Sequence, residues 1–312
     1  MNEEFSSSPN MIVQYNARCA RRSYVAVLSH PQLPRLADGA TIETFRRDAF
    51  EPNTPILFPK SHFSDLPAIS KWFTSFHDTS TLNIRYFTPL AASTLGAPLE
   101  FTPSRSTRAA YRVDGFARRE LPLKVFLAYI AKRQQRRTRR WMWRYNIYLG
   151  QCPLSLLDSK LQADLPTPRL VSETGRGDIY DTSIWMGQAP TYTPLHKDPN
   201  PNLFVQIAGK KRLRIMEPAM GAELYQEMKK RLGLHGAEGI RGEEMMQGEE
   251  KKFLHEVVWG AESMEMSGNV KHYEATLSAG DGIFIPKGWW HSIKGIGTDF
   301  TGSVSISMTI FD

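Results

Sequence analysis

The chain has 312 residues, of which 41 % are apolar and 23 % charged, an ordinary mixture for a folded globular protein that excludes a disordered or collagen-like chain. Its longest apolar runs, YVAVL from residue 24 and VFLAYIA from residue 125, fall far short of the roughly 20 residues that span a bilayer, so no membrane segment is expected. The formal charge of +7 is modest but uneven, because KRQQRRTRRWMWR at 132–144 holds seven Lys or Arg and no acid.

Cys19 and Cys152 are the only cysteines, which excludes a disulfide framework and a thiolate zinc site and fits a reducing compartment. The opening MNEEFSSSP lacks the basic and apolar regions of a secretory leader, so cytoplasm or nucleus is expected. Phe5 to Ala37 contains Arg but no acid and leaves organelle targeting open.

Residues 1–40 read as a partly flexible N-terminal segment and 41–312 as a single domain. The Pro-spaced stretch 51–67 predicts loops around one short strand, AISKWFTSF (68–76) a short helix, and LNIRYF (82–87) a strand. Pro122 suits the first position of a helix in which Leu123, Phe126, Leu127 and Ile130 recur at i, i+3, i+4 and i+7. The basic cluster falls at that helix's C-terminal end, where cations complement the dipole; it is either a solvated helix end or a contact for a polyanion.

The period then changes to two. Trp141, Trp143, Tyr145, Ile147 and Leu149 share one face, opposite Arg144, Asn146 and Tyr148. Near the C-terminus Val304, Ile306, Met308 and Ile310 oppose Ser303, Ser305, Ser307 and Thr309. Strands with one greasy and one polar face suit a barrel or sandwich around a polar pocket, the alternative being a water-facing sheet. Between about 220 and 275 the text becomes charged with helical spacing, which predicts a mainly helical insertion, with a lid over the pocket mouth as one role open to it.

The chemistry concentrates in TPLHKDPNPNLFVQIAGKKRLRIMEP (193–218) and GDGIFIPKGWWHSI (280–293). On an extended stretch His196 and Asp198 share a face, and an imidazole with a carboxylate suits a divalent first-row metal. His291, after a strand-like run and a Pro-Lys-Gly turn, offers a third donor. Two histidines and one carboxylate on one face of an octahedron leave three positions open, the arrangement of non-haem Fe(II) oxygenases. Lys211, beside Lys210 and Arg212, reads from the residues alone as a surface lysine; its alternation with Leu213 and Ile215 also allows it an inward aim, where it needs an anion.

These two signatures, in this order and followed by the strand VSISM, resemble the JmjC or cupin-like family of Fe(II)- and 2-oxoglutarate-dependent oxygenases. The resemblance covers roughly residues 40 to 310 and is strongest from Tyr148 onward. It leans to the small hydroxylase branch, exemplified by the asparaginyl hydroxylase of hypoxia-inducible factor and the wybutosine tRNA hydroxylase. It implies a mainly β fold, a double-stranded β-helix (jelly-roll) core with flanking helices and a helical insertion. It implies Fe(II) held by His196, Asp198 and His291, with 2-oxoglutarate and dioxygen as co-substrates. Thr193 and Lys211 would hold the distal carboxylate of 2-oxoglutarate, Tyr148 would reach it with its phenol, and Asn202 would add a polar contact. Ser307 stands where some relatives carry Asn, and the shorter side chain leaves room for water. The implied activity is hydroxylation of a C–H bond in a protein, RNA or small molecule; the alternatives are N-methyl-lysine demethylation and a non-oxidative metal-binding cupin. Substrate and oligomeric state stay open.

Overall fold

The computed structural model describes residues 32–76, 79–103, 115–135, 145–174, 179–234, 246–260 and 272–309. Most strands join one of two facing sheets. The larger has eight, in the spatial order β1 (Ile56–Leu57), β12 (Gly282–Ile285), β9 (Asn202–Ala208), β14 (Phe300–Met308), β7 (Ile179–Gln188), β6 (Tyr145–Pro153), β4 (Ala97–Pro103) and β5 (Ala117–Leu121). The smaller has four, β11 (Tyr273–Ser278), β10 (Lys210–Met216), β13 (Trp290–Ile296) and β8 (Thr191–Lys197). A separate hairpin pairs β2 (Phe73–Phe76) with β3 (Thr79–Leu82). All pairings in these sheets are antiparallel, and the architecture is the expected mainly β jelly-roll with flanking helices.

Among the described residues, six α-helices precede β7: α1 (Ile42–Phe45), α2 (Pro67–Trp72), α3 (Ile84–Phe87), α4 (Leu123–Gln135), α5 (Ser159–Ala163) and α6 (Arg169–Thr174). Their apolar residues, among them Phe45, Trp72, Phe87 and Phe126, form the main core with the back of the large sheet, where Ile184, Met186, Val205, Val304 and Ile306 project. In α4 the buried residues are Leu123, Phe126, Leu127, Tyr129 and Ile130, the stripe that the 3.6-residue period predicts. A second apolar cluster, with Leu57, Phe204, Leu213, Ile215, Ile283 and Trp289, lies between the two sheets and fills one part of the sandwich.

Two local expectations are corrected. Residues 68–76 are helical only to Trp72 and continue as β2. The strand expected over 82–87 stops at Leu82, because Asn83 caps α3: its Oδ1 accepts from the Tyr86 backbone N–H, and its amide donates to the Lys71 carbonyl. Trp141, Trp143, Arg144, Ile310 and the basic cluster from residue 136 lie outside the described residues.

The charged stretch after β10 carries α7 (Pro218–Leu232) and α8 (Gly248–Trp259). Leu224, Tyr225, Met228, Leu254 and Val258 of these helices pack on Leu195, Met216 and Trp290, on the outer face of the small sheet. The described helices therefore back the sheet from behind, and none of their residues lines the cavity that a lid would cover. Among the described residues, no helix is long and apolar enough to cross a membrane.

Candidate active site

The site begins with a defect in the small sheet. On β13, His291 and Ile293 face the cavity at the regular spacing of two; on β8 their partners are His196 and Thr193, three residues apart. One extra residue on β8 makes a β-bulge, and the bulge turns Thr193 and His196 to the same side, which strict alternation forbids.

His196 and His291 are direct cross-strand neighbours with ring centroids 4.2 Å apart. Each Nδ1 donates to a backbone carbonyl, His196 to Pro194 at 2.9 Å and His291 to Trp289 at 3.2 Å. A carbonyl only accepts, so Nδ1 carries the proton and each Nε2 keeps its lone pair. Both Nε2 atoms point at Asp198, His196 lying 3.8 Å from Oδ1 and His291 3.7 Å from Oδ2. One donor atom from each of the three lies within 4.8 Å of the others. His291 is buried, and its pKa falls to about 4 because burial, helped by His196, outweighs the attraction of Asp198. It is neutral at physiological pH, as a metal ligand must be.

The large sheet forms the opposite wall as a set of cross-strand rows. Asp181, Ser307 and Asn202 are in register across β7, β14 and β9; Ser183, Ser305 and Phe204 form the next row, and Trp185 and Ser303 the one after. Asn202 joins the walls, since its Nδ2 donates to Asp198 Oδ2 at 3.4 Å, while its buried Oδ1 has no hydrogen-bond partner.

Lys211 occupies the far end. It lies on β10 four residues from Ile215, the cross-strand partner of His291, a separation of roughly 13 Å of strand. Only 3 % exposed, it donates to Ser303 Oγ at 2.6 Å and to Tyr148 Oη at 3.1 Å. Burial lowers its pKa to about 7 and, with a smaller push from Glu100, raises that of the Tyr148 phenol.

Between these ends lies a cavity of about 140 Å³. All eight residues singled out from sequence line it: Tyr148, Thr193, His196, Asp198, Asn202, Lys211, His291 and Ser307. Sequence reasoning missed Gln151, Tyr180, Asp181, Ser183, Trp185, Pro199, Asn200, Phe204 and Ile293. Asp181, Ser183 and Trp185 had a signal, the period of two in DTSIWMG. Gln151 had none: a second bulge, in β6 between Leu149 and Cys152, brings it to the wall with φ of +49°. Cys152, turned away and buried, has its thiol pushed up to about 12 and is inert. His62, His255 and His272 lie off the cavity, and His30, His77 and His235 are outside the described residues.

Residues 42–311 match the cupin-like domain family. The chain is 24 % identical over 280 residues to the Jumonji C domain-containing protein 5 of Drosophila melanogaster, covering 89 % of this chain and 60 % of that protein. It is 25 % identical over 272 residues to the lysine-specific demethylase JMJ30 of Arabidopsis thaliana, covering 86 % and 52 %. A shorter match, 28 % identical over 158 residues, covers 50 % of this chain and 32 % of the lysine-specific demethylase 8 of Xenopus tropicalis. The chain thus spans little more than half the length of the first two relatives. The matched span, the facing antiparallel sheets and the His-Asp-His group agree, and the chain belongs to the cupin-like, JmjC-type family of oxygenases, which use Fe(II) and 2-oxoglutarate.

Proposed function

We propose that this chain is a 2-oxoglutarate-dependent dioxygenase in which His196, Asp198 and His291 hold Fe(II) and the Lys211 end of the cavity holds the distal carboxylate of the co-substrate. The observation that carries this reading is the presence, in one cavity, of an open-faced His-Asp-His group and a buried lysine whose partners are neutral hydroxyls. Both fit their groups. The two Nε2 lone pairs and the carboxylate suit a divalent metal, and a buried ammonium is stabilised chiefly by an anion. The orphaned Asn202 Oδ1 is the mark of a polar site that accepts a further donor.

Fe(II) and 2-oxoglutarate, with dioxygen as the oxidant, would supply oxidative decarboxylation to succinate and carbon dioxide, one oxygen atom entering succinate and the other replacing a substrate C–H hydrogen by hydroxyl. The chain supplies orientation. The backbone carbonyls of Pro194 and Trp289 lock the imidazole tautomers, and the Asn202 amide fixes the Asp198 carboxylate. Lys211, assisted by Tyr148 and Thr193, orients the co-substrate lengthwise, and Ser307 leaves space for water beside Asn202.

The substrate is hydroxylated on carbon. Where that carbon is an N-methyl group, the hydroxylated product collapses to amine and formaldehyde, so demethylation shares the same first outcome. Asp181 favours a substrate that presents a cation or a strong donor, because its carboxylate shares the cavity wall with Asn202 at the metal end. The names of the demethylase relatives are compatible with that second reading. A polyanionic contact through the basic cluster 132–144 belongs to the same proposal.

The test is succinate formation from 2-oxoglutarate with added Fe(II) under air, across a panel of peptides, RNAs and metabolites, with formaldehyde followed in parallel. Fe(II)-dependent succinate lost in His196→Ala supports the oxygenase. Formaldehyde in proportion to succinate selects demethylation, a hydroxylated product without formaldehyde selects hydroxylation, and the absence of both turnover and 2-oxoglutarate binding contradicts the proposal in favour of a non-oxidative cupin.

A further inference from the structure

The bulge that aims Thr193 and His196 together interrupts the β8–β13 ladder, and something other than the ladder must hold it. Ser292, the residue between His291 and Ile293, is fully buried, and its Oγ donates to the Thr193 carbonyl at 2.8 Å. That hydroxyl accepts at the same time from Trp259 Nε1, also at 2.8 Å. A hydroxyl with one donor and one acceptor contact has no rotational freedom left, so Trp259 sets the direction in which Ser292 donates.

Trp259, the last residue of α8, is itself anchored. The Arg214 guanidinium lies 4.6 Å and the Lys294 ammonium 4.5 Å from its ring centroid. Arg214 also donates to the neighbouring Val258 carbonyl and pairs with Glu274 at 2.8 Å. One turn earlier on α8, His255 meets the ring of Tyr192, the neighbour of Thr193, edge-on at 5.1 Å. The helix thus reaches β8 from behind by two routes, directly at the Tyr192 ring and through Ser292 at the Thr193 backbone carbonyl, while the Thr193 side chain faces the cavity.

We propose that Trp259 and Ser292 are positioning residues, a hydrogen-bonded relay from α8 that fixes the β8 bulge and with it the joint aim of Thr193 and His196. The inference rests on the reading of the cavity as a metal and co-substrate site. It gives the charged stretch after β10 a task unlike that of a lid: it sets the site from behind.

The experiment is a Mn(II) titration of the full chain, with free Mn(II) read by electron paramagnetic resonance. It compares wild type with Ser292→Ala, Ser292→Cys, Trp259→Phe and Val258→Ala. The expected result is a Kd for Mn(II) raised about tenfold in Ser292→Ala and Trp259→Phe. Ser292→Cys, close in volume but a weaker donor, falls between them and wild type. Val258→Ala, a buried change one residue away that leaves the relay intact, lowers the Tm without moving the Kd. Should Ser292→Ala fail to fold, Trp259→Phe carries the comparison. Unchanged affinity in the folded relay variants, or equal weakening in Val258→Ala, overturns the relay. A wild type that does not bind Mn(II) overturns the site reading and the relay together.

Discussion

The two walls of the cavity divide the labour unequally. The four-stranded sheet contributes His196, His291, Lys211 and Thr193, the first three being groups whose charge or lone pair does chemistry. The eight-stranded sheet contributes Tyr148, Ser183, Trp185, Asn202, Ser305 and Ser307, neutral groups that donate, accept or exclude water. The exception on the second wall is Asp181. The ladder shifts register at the cavity in both sheets, in β8 on the small sheet and in β6 and β7 on the large one, so both walls depart from regular pleating where the site is. The lesson is that strong ligands sit on the smaller sheet backed by α7 and α8, whereas the wall backed by the main core supplies shape and hydrogen bonds.

The sharpest way to break this division is to remove a ligand from the small sheet. His291→Ala is expected to lower Fe(II)-dependent succinate formation by at least about a hundredfold, since two remaining donors do not hold the metal. A Ser305→Ala change on the opposite wall is expected to leave turnover within about threefold, so a loss equal to that of His291→Ala would erase the contrast.

Lys211 tests the far end of the same sheet. Lys211→Met keeps the length and removes the charge, and the KM for 2-oxoglutarate is expected to rise about a hundredfold while metal affinity holds. The same change affects the free protein in the opposite sense. Because the folded pKa, about 7, lies below the ordinary value of 10.5, the unfolded chain binds more protons between these pH values, and wild-type stability rises as pH climbs through that window. Lys211→Met is expected to be more stable than wild type at pH 7 by roughly 1–3 kcal/mol and to lose this pH slope, which chemical denaturation at a series of pH values measures.

Asp181→Asn probes the exception on the neutral wall. With a cationic peptide substrate KM is expected to rise about tenfold, whereas 2-oxoglutarate turnover in the absence of substrate is unchanged. Equal KM values for cationic and neutral substrates in both proteins would assign Asp181 to the neutral wall's structural role. The smallest effect concerns the basic cluster: neutralising Arg136, Arg137, Arg139 and Arg140 is expected to flatten the salt dependence of RNA or acidic-peptide binding without altering uncoupled turnover.

Much of the chemistry was legible because it obeys short-range rules. Alternation placed Ser303, Ser305 and Ser307 on one face of the last strand, as the structure has them; for Lys211 it allowed an inward aim beside Leu213 and Ile215, which the family resemblance selected over a surface position. The 3.6-residue stripe of α4 was equally direct. What escaped were features set by single residues or by distant partners. Asn83 reads as a strand residue until its side chain is seen to cap α3. Gln151 enters the cavity through a bulge that no hydropathy period encodes. The contribution of α8 depends on a hydrogen bond from Trp259 to Ser292 across 33 positions, and sequence spacing carries no sign of it.

The central claim is that both ends of the cavity hold one co-substrate. Titrating 2-oxoglutarate calorimetrically into the wild type and Lys211→Met, each with and without Mn(II), tests it directly. The account predicts that binding requires Mn(II) and weakens about a hundredfold in the variant. Binding that ignores the metal, or an affinity unchanged by loss of the lysine, would contradict it.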